Sequence, residues 1–174
     1  VNSEESLVRD PLRMLRAFRL THTLSLKIEE NTLKMIQKNK NLILHSAWER
    51  IRSEFFAALN EPQASRFLKD LHQSGLLGEI FPEIQGWESY DQGFHHGFPL
   101  LVHALRTVEA GEILLAHLEE LSPSHVRLLD HHFSSTIEEG ISREALFKFV
   151  AFLHDSGKPA TGSLSPDRPS VRFL

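Results

Sequence analysis

Asp10-Pro-Leu-Arg-Met-Leu-Arg-Ala-Phe-Arg19 is the stretch that decides the reading. Asp10 suits a helix cap and Pro11 the first helical position, so a helix is expected from Asp10 to about Leu24. At about 100° per residue, Arg13, Arg16 and Arg19 cover an arc of about 120°. Met14, Leu15 and Phe18 lie on the opposite arc, and Leu12 and Leu20 blur the division, which predicts contact on several sides. Asp10 and Arg13 stand one turn apart at the N-terminal end. Together they form a donor–acceptor edge: arginine offers a rigid fork, and aspartate accepts from exocyclic amines. The plain alternative is a cap with a solvated basic face.

Outward from this helix the apolar spacing is helical almost throughout, and no stretch alternates cleanly enough for a strand. Further helices are expected at Glu29–Lys38 and from Ser46, where Glu49 completes a capping box, to Leu59. Pro62 should open another that Gly75 stops. The glycine- and aromatic-rich stretch 86–97 lacks helical period and sets a domain boundary, giving units 1–85 and 86–174. Pro99 then begins a helix carrying Leu101, Leu105, Val108 and Leu115. Ser122–Glu139 is read as helix. Ser142–His154 is a compact helix with Ala145, Leu146, Phe149, Val150 and Leu153 on its buried face. A loop is expected from Ser156 onward.

The 174 residues suffice for an ordinary core, and the absence of cysteine excludes disulfides, thiolate zinc sites and a cysteine nucleophile. No apolar run reaches the roughly 18 residues of a spanning helix; the best, Phe147 to Leu153, is broken by Lys148. No signal peptide is read at the start, so a cytoplasmic setting is expected, with no membrane partner. Val1 in place of Met leads us to expect a piece of a longer protein. The net charge of -4 divides into about +3 over residues 1–75 and about -7 over the remainder. The first half can meet phosphates, as an RNA partner would require.

Two further constellations stand out. Arg50 and Glu54 are one turn apart and are expected to pair within their helix. His154-Asp155 falls where an apolar helix breaks into Ser156-Gly-Lys-Pro159, and His103 lies on the earlier amphipathic helix. Imidazoles with a carboxylate suit Mn, Fe, Co, Ni or Zn rather than calcium. The bland alternative for each is a surface pair or a helix-terminal histidine. The His131-His132 pair is read as solvated, and no phosphate-cradling glycine loop or nucleophile elbow is found.

The wording of the Asp10–Arg19 segment closely resembles the nucleobase-reading motif of the class II tRNA nucleotidyltransferase and bacterial poly(A) polymerase family, Glu-Asp-x-x-Arg-x-x-Arg-x-x-Arg-Phe. Ile28–Thr32 resembles the opening of the family's second helix, Trp48-Glu-Arg-Ile-Arg-Ser-Glu54 its Glu-Arg-x-x-x-Glu helix, and Phe67–Phe81 the following body segment. The sequence departs at Arg9, where the family has glutamate, and at Leu20, where it has phenylalanine. The resemblance implies an all-α neck/body array in which Asp10 and Arg13 pair with ATP or CTP. Arg50 and Glu54 would then brace the templating helix. Separately, the basic first half and the arginine arc point to RNA contact by Arg16 and Arg19. Phe-Leu-His154-Asp155-Ser-Gly-Lys-Pro159, preceded by His95-His96 and His103-Ala-Leu-Arg-Thr, resembles an HD domain, with His103, His154 and Asp155 as metal ligands and the last aspartate ligand absent.

The expected function is therefore part of an RNA 3′-end nucleotidyltransferase, CCA- or poly(A)-adding. The resemblance places its Mg²⁺-binding head outside the chain, which implies that the chain alone is inactive. The alternatives are an HD phosphohydrolase with a helical scaffold half, or a purely structural helical array.

Overall fold

The computed structural model describes residues 4–91, 97–165 and 168–173, with side chains to residue 161. His95 and His96 lie outside the described residues. The chain is all-α in its body. Helix α1 (Glu4–Arg9) leads through Asp10 into α2 (Leu12–Thr23), followed by α3 (Glu30–Asn39), a 3-10 turn (Lys40–His45), α4 (Trp48–Leu59), α5 (Ala64–Ser74) and α6 (Leu76–Ile80). After a second 3-10 turn (Pro82–Ile84) come α7 (Leu100–Ala116), α8 (Leu118–Leu121), α9 (Val126–Ser134) and α10 (Arg143–Leu153). The short α11 (Lys158–Thr161) follows.

Helix α2 packs on α4 and α5, and Leu12, Met14, Leu15 and Phe18 are all buried, so the helix is contacted on several sides as its pattern predicts. Gly75 ends α5 in the left-handed region at φ 81°, where a Cβ would meet the Lys40 side chain at 2.8 Å. Glu29 caps α3 by accepting from the Thr32 amide.

The core runs without a break across the expected boundary near residue 86. Phe149 of α10 packs edge-on against Phe55 and Phe56 of α4, with centroids 6.0 and 5.3 Å apart. Trp87 is fully buried against Phe152, and the carbonyls of Trp87 and Tyr90 accept from Leu101 and Leu100 in the first turn of α7. The stretch after Ile84 thus anchors the helix that carries His103.

Several local expectations are corrected. Ser46 forms no capping box: α4 starts at Trp48 with no side-chain cap, and the buried Ser46 hydroxyl has no partner. Residues 122–139 are not one helix. Helix α9 ends at Ser134, and Thr136–Glu138 (β1) pairs antiparallel with Ile141–Ser142 (β2) around Gly140 at φ 77°. Glycine turns the chain there without the Cβ penalty of a positive φ. Beyond Ser156 the expected loop contains α11 and a second antiparallel ribbon, β3 (Gly162–Ser165) with β4 (Arg168–Phe173).

The buried face of α10 is rotated from expectation. Val150 is 55% exposed, whereas Lys148 is 2% exposed. The Lys148 ammonium donates to the Leu59 and Glu61 carbonyls at 3.0 and 3.1 Å and pairs with Glu144 at 2.7 Å. It thereby satisfies the last carbonyl of α4 and one two residues beyond the helix.

Candidate functional sites

Asp10 stands between α1 and α2. The residue bounding α2 is Pro11 and makes no side-chain cap, so the carboxylate is not spent on the helix terminus. One oxygen accepts from Arg50 at 3.2 Å, and the other faces Arg13 at 3.7 Å. Arg13 also reaches the Ser6 hydroxyl on α1. The Asp10 and Arg13 side chains remain 28% and 55% exposed, so the edge they form is open to a ligand. Arg9 is drawn away from it, pairing with Glu5 at 2.6 Å.

The expected Arg50–Glu54 pair does not form. Arg50 crosses to Asp10, while Glu54 takes both Arg16, at 2.9 and 2.7 Å, and Arg19, at 2.8 Å. Packing α4 against α2 brings Glu54 between two arginines of its neighbour, and three charge-assisted bonds outweigh one weak intrahelical pair. Arg16 and Arg19 thus pair with Glu54 and keep 41% and 22% of their side chains exposed. The bracing of α2 by α4 remains, through different partners.

Burial pushes the Glu54 carboxyl up, and the bonds and charges of Arg16 and Arg19 pull it down further, leaving it below the usual glutamate range. A depressed carboxyl pKa contributes stability that is present above the unfolded value and lost as pH falls through the folded one. Stability should therefore decline as pH falls from about 5 through the ordinary glutamate range and below. Glu54→Gln should flatten this decline and cost about 2 kcal/mol at neutral pH, by leaving two part-buried guanidinium groups uncompensated. Urea unfolding of both proteins at neutral and acidic pH measures this, and equal pH dependence would contradict it.

The third constellation does assemble. His103 on α7 and His154-Asp155 at the end of α10 converge because α7 and α10 pack along their lengths. The His103 and His154 Nε2 atoms are 3.3 Å apart, and each lies within 3.2 Å of Asp155 Oδ2, at 3.2 and 3.1 Å. With metal–donor distances of about 2.1 Å, neighbouring donors sit about 3.0 Å apart in an octahedron and about 3.4 Å apart in a tetrahedron. The observed separations fit that range.

His154 Nδ1 lies 2.9 Å from the Ala151 carbonyl. An N–H there turns the Nε2 lone pair toward the cluster, as a ligating imidazole requires. Burial raises the Asp155 carboxyl, but the Lys158 bond and the neighbouring cationic groups bring it below its ordinary value. Lys158, 2.6 Å from Oδ2, was not singled out from the sequence, although its spacing of three from Asp155 was a usable signal.

These features define a mainly helical array with an open aspartate–arginine edge, braced from the neighbouring helix, and a three-donor cluster held by α7 and the end of α10. Residues 25–87 match the family model described as the probable RNA and SrmB-binding site of polymerase A. The chain is 30% identical over 170 residues to the A-adding tRNA nucleotidyltransferase of Deinococcus radiodurans, a match covering 95% of the chain and 33% of that protein. It is 32% identical over 159 residues to the CC-adding tRNA nucleotidyltransferase of Geobacter sulfurreducens, covering 91% of the chain and 34% of that protein. The corresponding figures for the CC-adding enzyme of Thermus thermophilus are 30% over 176 residues, 98% and 35%. The chain belongs to the class II tRNA nucleotidyltransferase and bacterial poly(A) polymerase family. It spans about a third of the length of these curated relatives. No helix among the described residues is long and apolar enough to cross a membrane.

Proposed function

We propose that the chain carries the nucleotide-templating helix and part of the RNA-contacting body of an RNA 3′-end nucleotidyltransferase. The observation that carries this reading is the state of Asp10. It makes no helix cap and is held by Arg50 beside Arg13, so an acceptor and a forked donor sit side by side at an open helix end. A nucleobase of ATP or CTP presents the complementary edge. Arg50 holds Asp10, and Glu54 fixes α2 through Arg16 and Arg19. In the resembling family the two Mg²⁺-binding carboxylates belong to a head domain, so this chain's contribution is choice of base and grip on RNA.

In the full-length protein, Asp10→Ala and Arg13→Ala should each change the preference between ATP and CTP by about ten-fold or more, because losing a bidentate edge costs about 1–3 kcal/mol of discrimination. Single-nucleotide addition assays with each triphosphate measure it. Unaltered choice in both variants would overturn the templating role.

A second reading rests on the cluster of His103, His154 and Asp155, which resembles an HD site. These three residues would hold a transition metal, with waters completing its shell. The bound ion would supply Lewis acidity toward a phosphate ester. Lys158 holds Asp155 in place and adds positive charge beside the cluster.

A further inference from the structure

Most described lysines and arginines are paired with carboxylates, as Arg9, Arg52 and Lys40 illustrate. Arg66, Lys69 and Arg106 are not, and they line one groove of about 580 Å³ between α5 and α7. Two acidic residues share its lining. Asp70 is engaged by His22 at 3.1 Å, and Glu109 stands on the α7 wall. On α7 the Arg106 guanidinium carbon lies over the Phe98 ring, 3.8 Å from its centroid, and Phe98 is 45% exposed.

Leaving three guanidinium or ammonium groups unpaired beside one another costs mutual repulsion, which a polyanion relieves. Arg66 and Lys69 are one turn apart on α5, so they present a short cationic track rather than a single point. The Arg106–Phe98 pair adds an aromatic and a guanidinium surface on which a base can stack, and cationic tracks with such platforms hold single strands without reading their sequence.

We propose that this α5–α7 groove binds a single-stranded RNA segment, with backbone phosphates on Arg66, Lys69 and Arg106 and a base stacked at Phe98 and Arg106. The proposal rests on the reading of the chain as part of an RNA-handling enzyme. It moves the phosphate contact from Arg16 and Arg19, which Glu54 occupies, to side chains that are free to make it. The groove joins a helix of the matched segment 25–87 to one outside it.

The test is fluorescence anisotropy of a labelled oligoadenylate with the 174-residue chain, from low to physiological salt. Arg66→Gln, Lys69→Gln and Arg106→Gln combined should weaken binding about ten-fold at low salt. They should also reduce the slope of log affinity against log salt by about 2, at about 0.7 per lost phosphate contact. These side chains are exposed, so an unchanged melting curve should accompany the loss. Phe98→Ala should weaken binding several-fold with the slope unchanged. Arg127→Gln with Arg143→Gln, which removes two exposed arginines outside the groove, should bind as wild type.

If the groove triple variant binds as wild type, or the control loses as much, the groove assignment is overturned while RNA binding by the chain stands. If wild type shows no salt-sensitive binding, the assignment falls as well. Equal affinity for a blunt duplex overturns the single-strand assignment. The templating reading is judged separately, by nucleotide choice in the Asp10 and Arg13 variants.

Discussion

Lys148→Met is expected to lower stability by about 3 kcal/mol, because the Leu59 and Glu61 carbonyls lose their shared donor inside the protein. Methionine refills much of the volume and removes the cost of a buried ammonium, which offsets part of the loss. The two carbonyls still have to be reached by water or remain unsatisfied. For a chain of this size the melting temperature should fall by about 6–12 °C. The urea midpoint should drop with little change in slope. A midpoint within error of wild type would show that Lys148 is dispensable to the end of α4. The consequence is more than local. Lys148 ties α10, which ends in His154 and Asp155, to α4, which carries Arg50 and Glu54. Loosening this tie should disturb both candidate sites at once.

Calorimetric titration of Mn²⁺ or Ni²⁺ is expected to show binding by the wild-type chain that the His154→Ala, Asp155→Ala double variant abolishes. Three donors with separations of 3.1–3.3 Å provide a face for the ion, and affinity should be modest because the remaining positions fall to water. Lys158 competes for the same Asp155 oxygen at 2.6 Å, so Lys158→Met should tighten binding several-fold. Acidification should weaken it, since an imidazole must be neutral to donate its lone pair to a metal. Equal heats from the wild-type and double-variant proteins would remove the ligand role. His154 would then be a helix-terminal residue bonded to Ala151.

Both predictions depend on partner choices, and these separate the legible part of the protein from the rest. The spacing of Leu12, Met14, Leu15 and Phe18 specified α2 and its burial, and Gly75 specified the end of α5, because only local φ/ψ preference and helical period were needed. The ribbon around Gly140 is only weakly encoded locally, with Glu-Glu-Gly140 after Thr136-Ile137 as its turn signal. Strands of three and two residues are too short for alternation to register. In the sequence Lys148 only interrupts an apolar run, because its burial is set by carbonyls nearly 90 residues away.

The sequence by itself determined the helical class, most helix spans, the resemblance in wording from Asp10 to Phe81, and the residue types of both candidate sites. It carried these because period, turn chemistry and motif are properties of neighbours along the chain. The tertiary structure alone decided who pairs with whom. It sent Arg50 to Asp10 and Glu54 to Arg16 and Arg19, and it brought His103 across to His154 and Asp155. It also drew Glu112 of α7 to the otherwise uncapped start of α5, where its carboxylate accepts from the Ala64 and Ser65 amides. A charged side chain several ångströms long has many candidate partners within its own helix. Which one it takes is settled when helix packing brings distant residues within hydrogen-bond reach and excludes water around them.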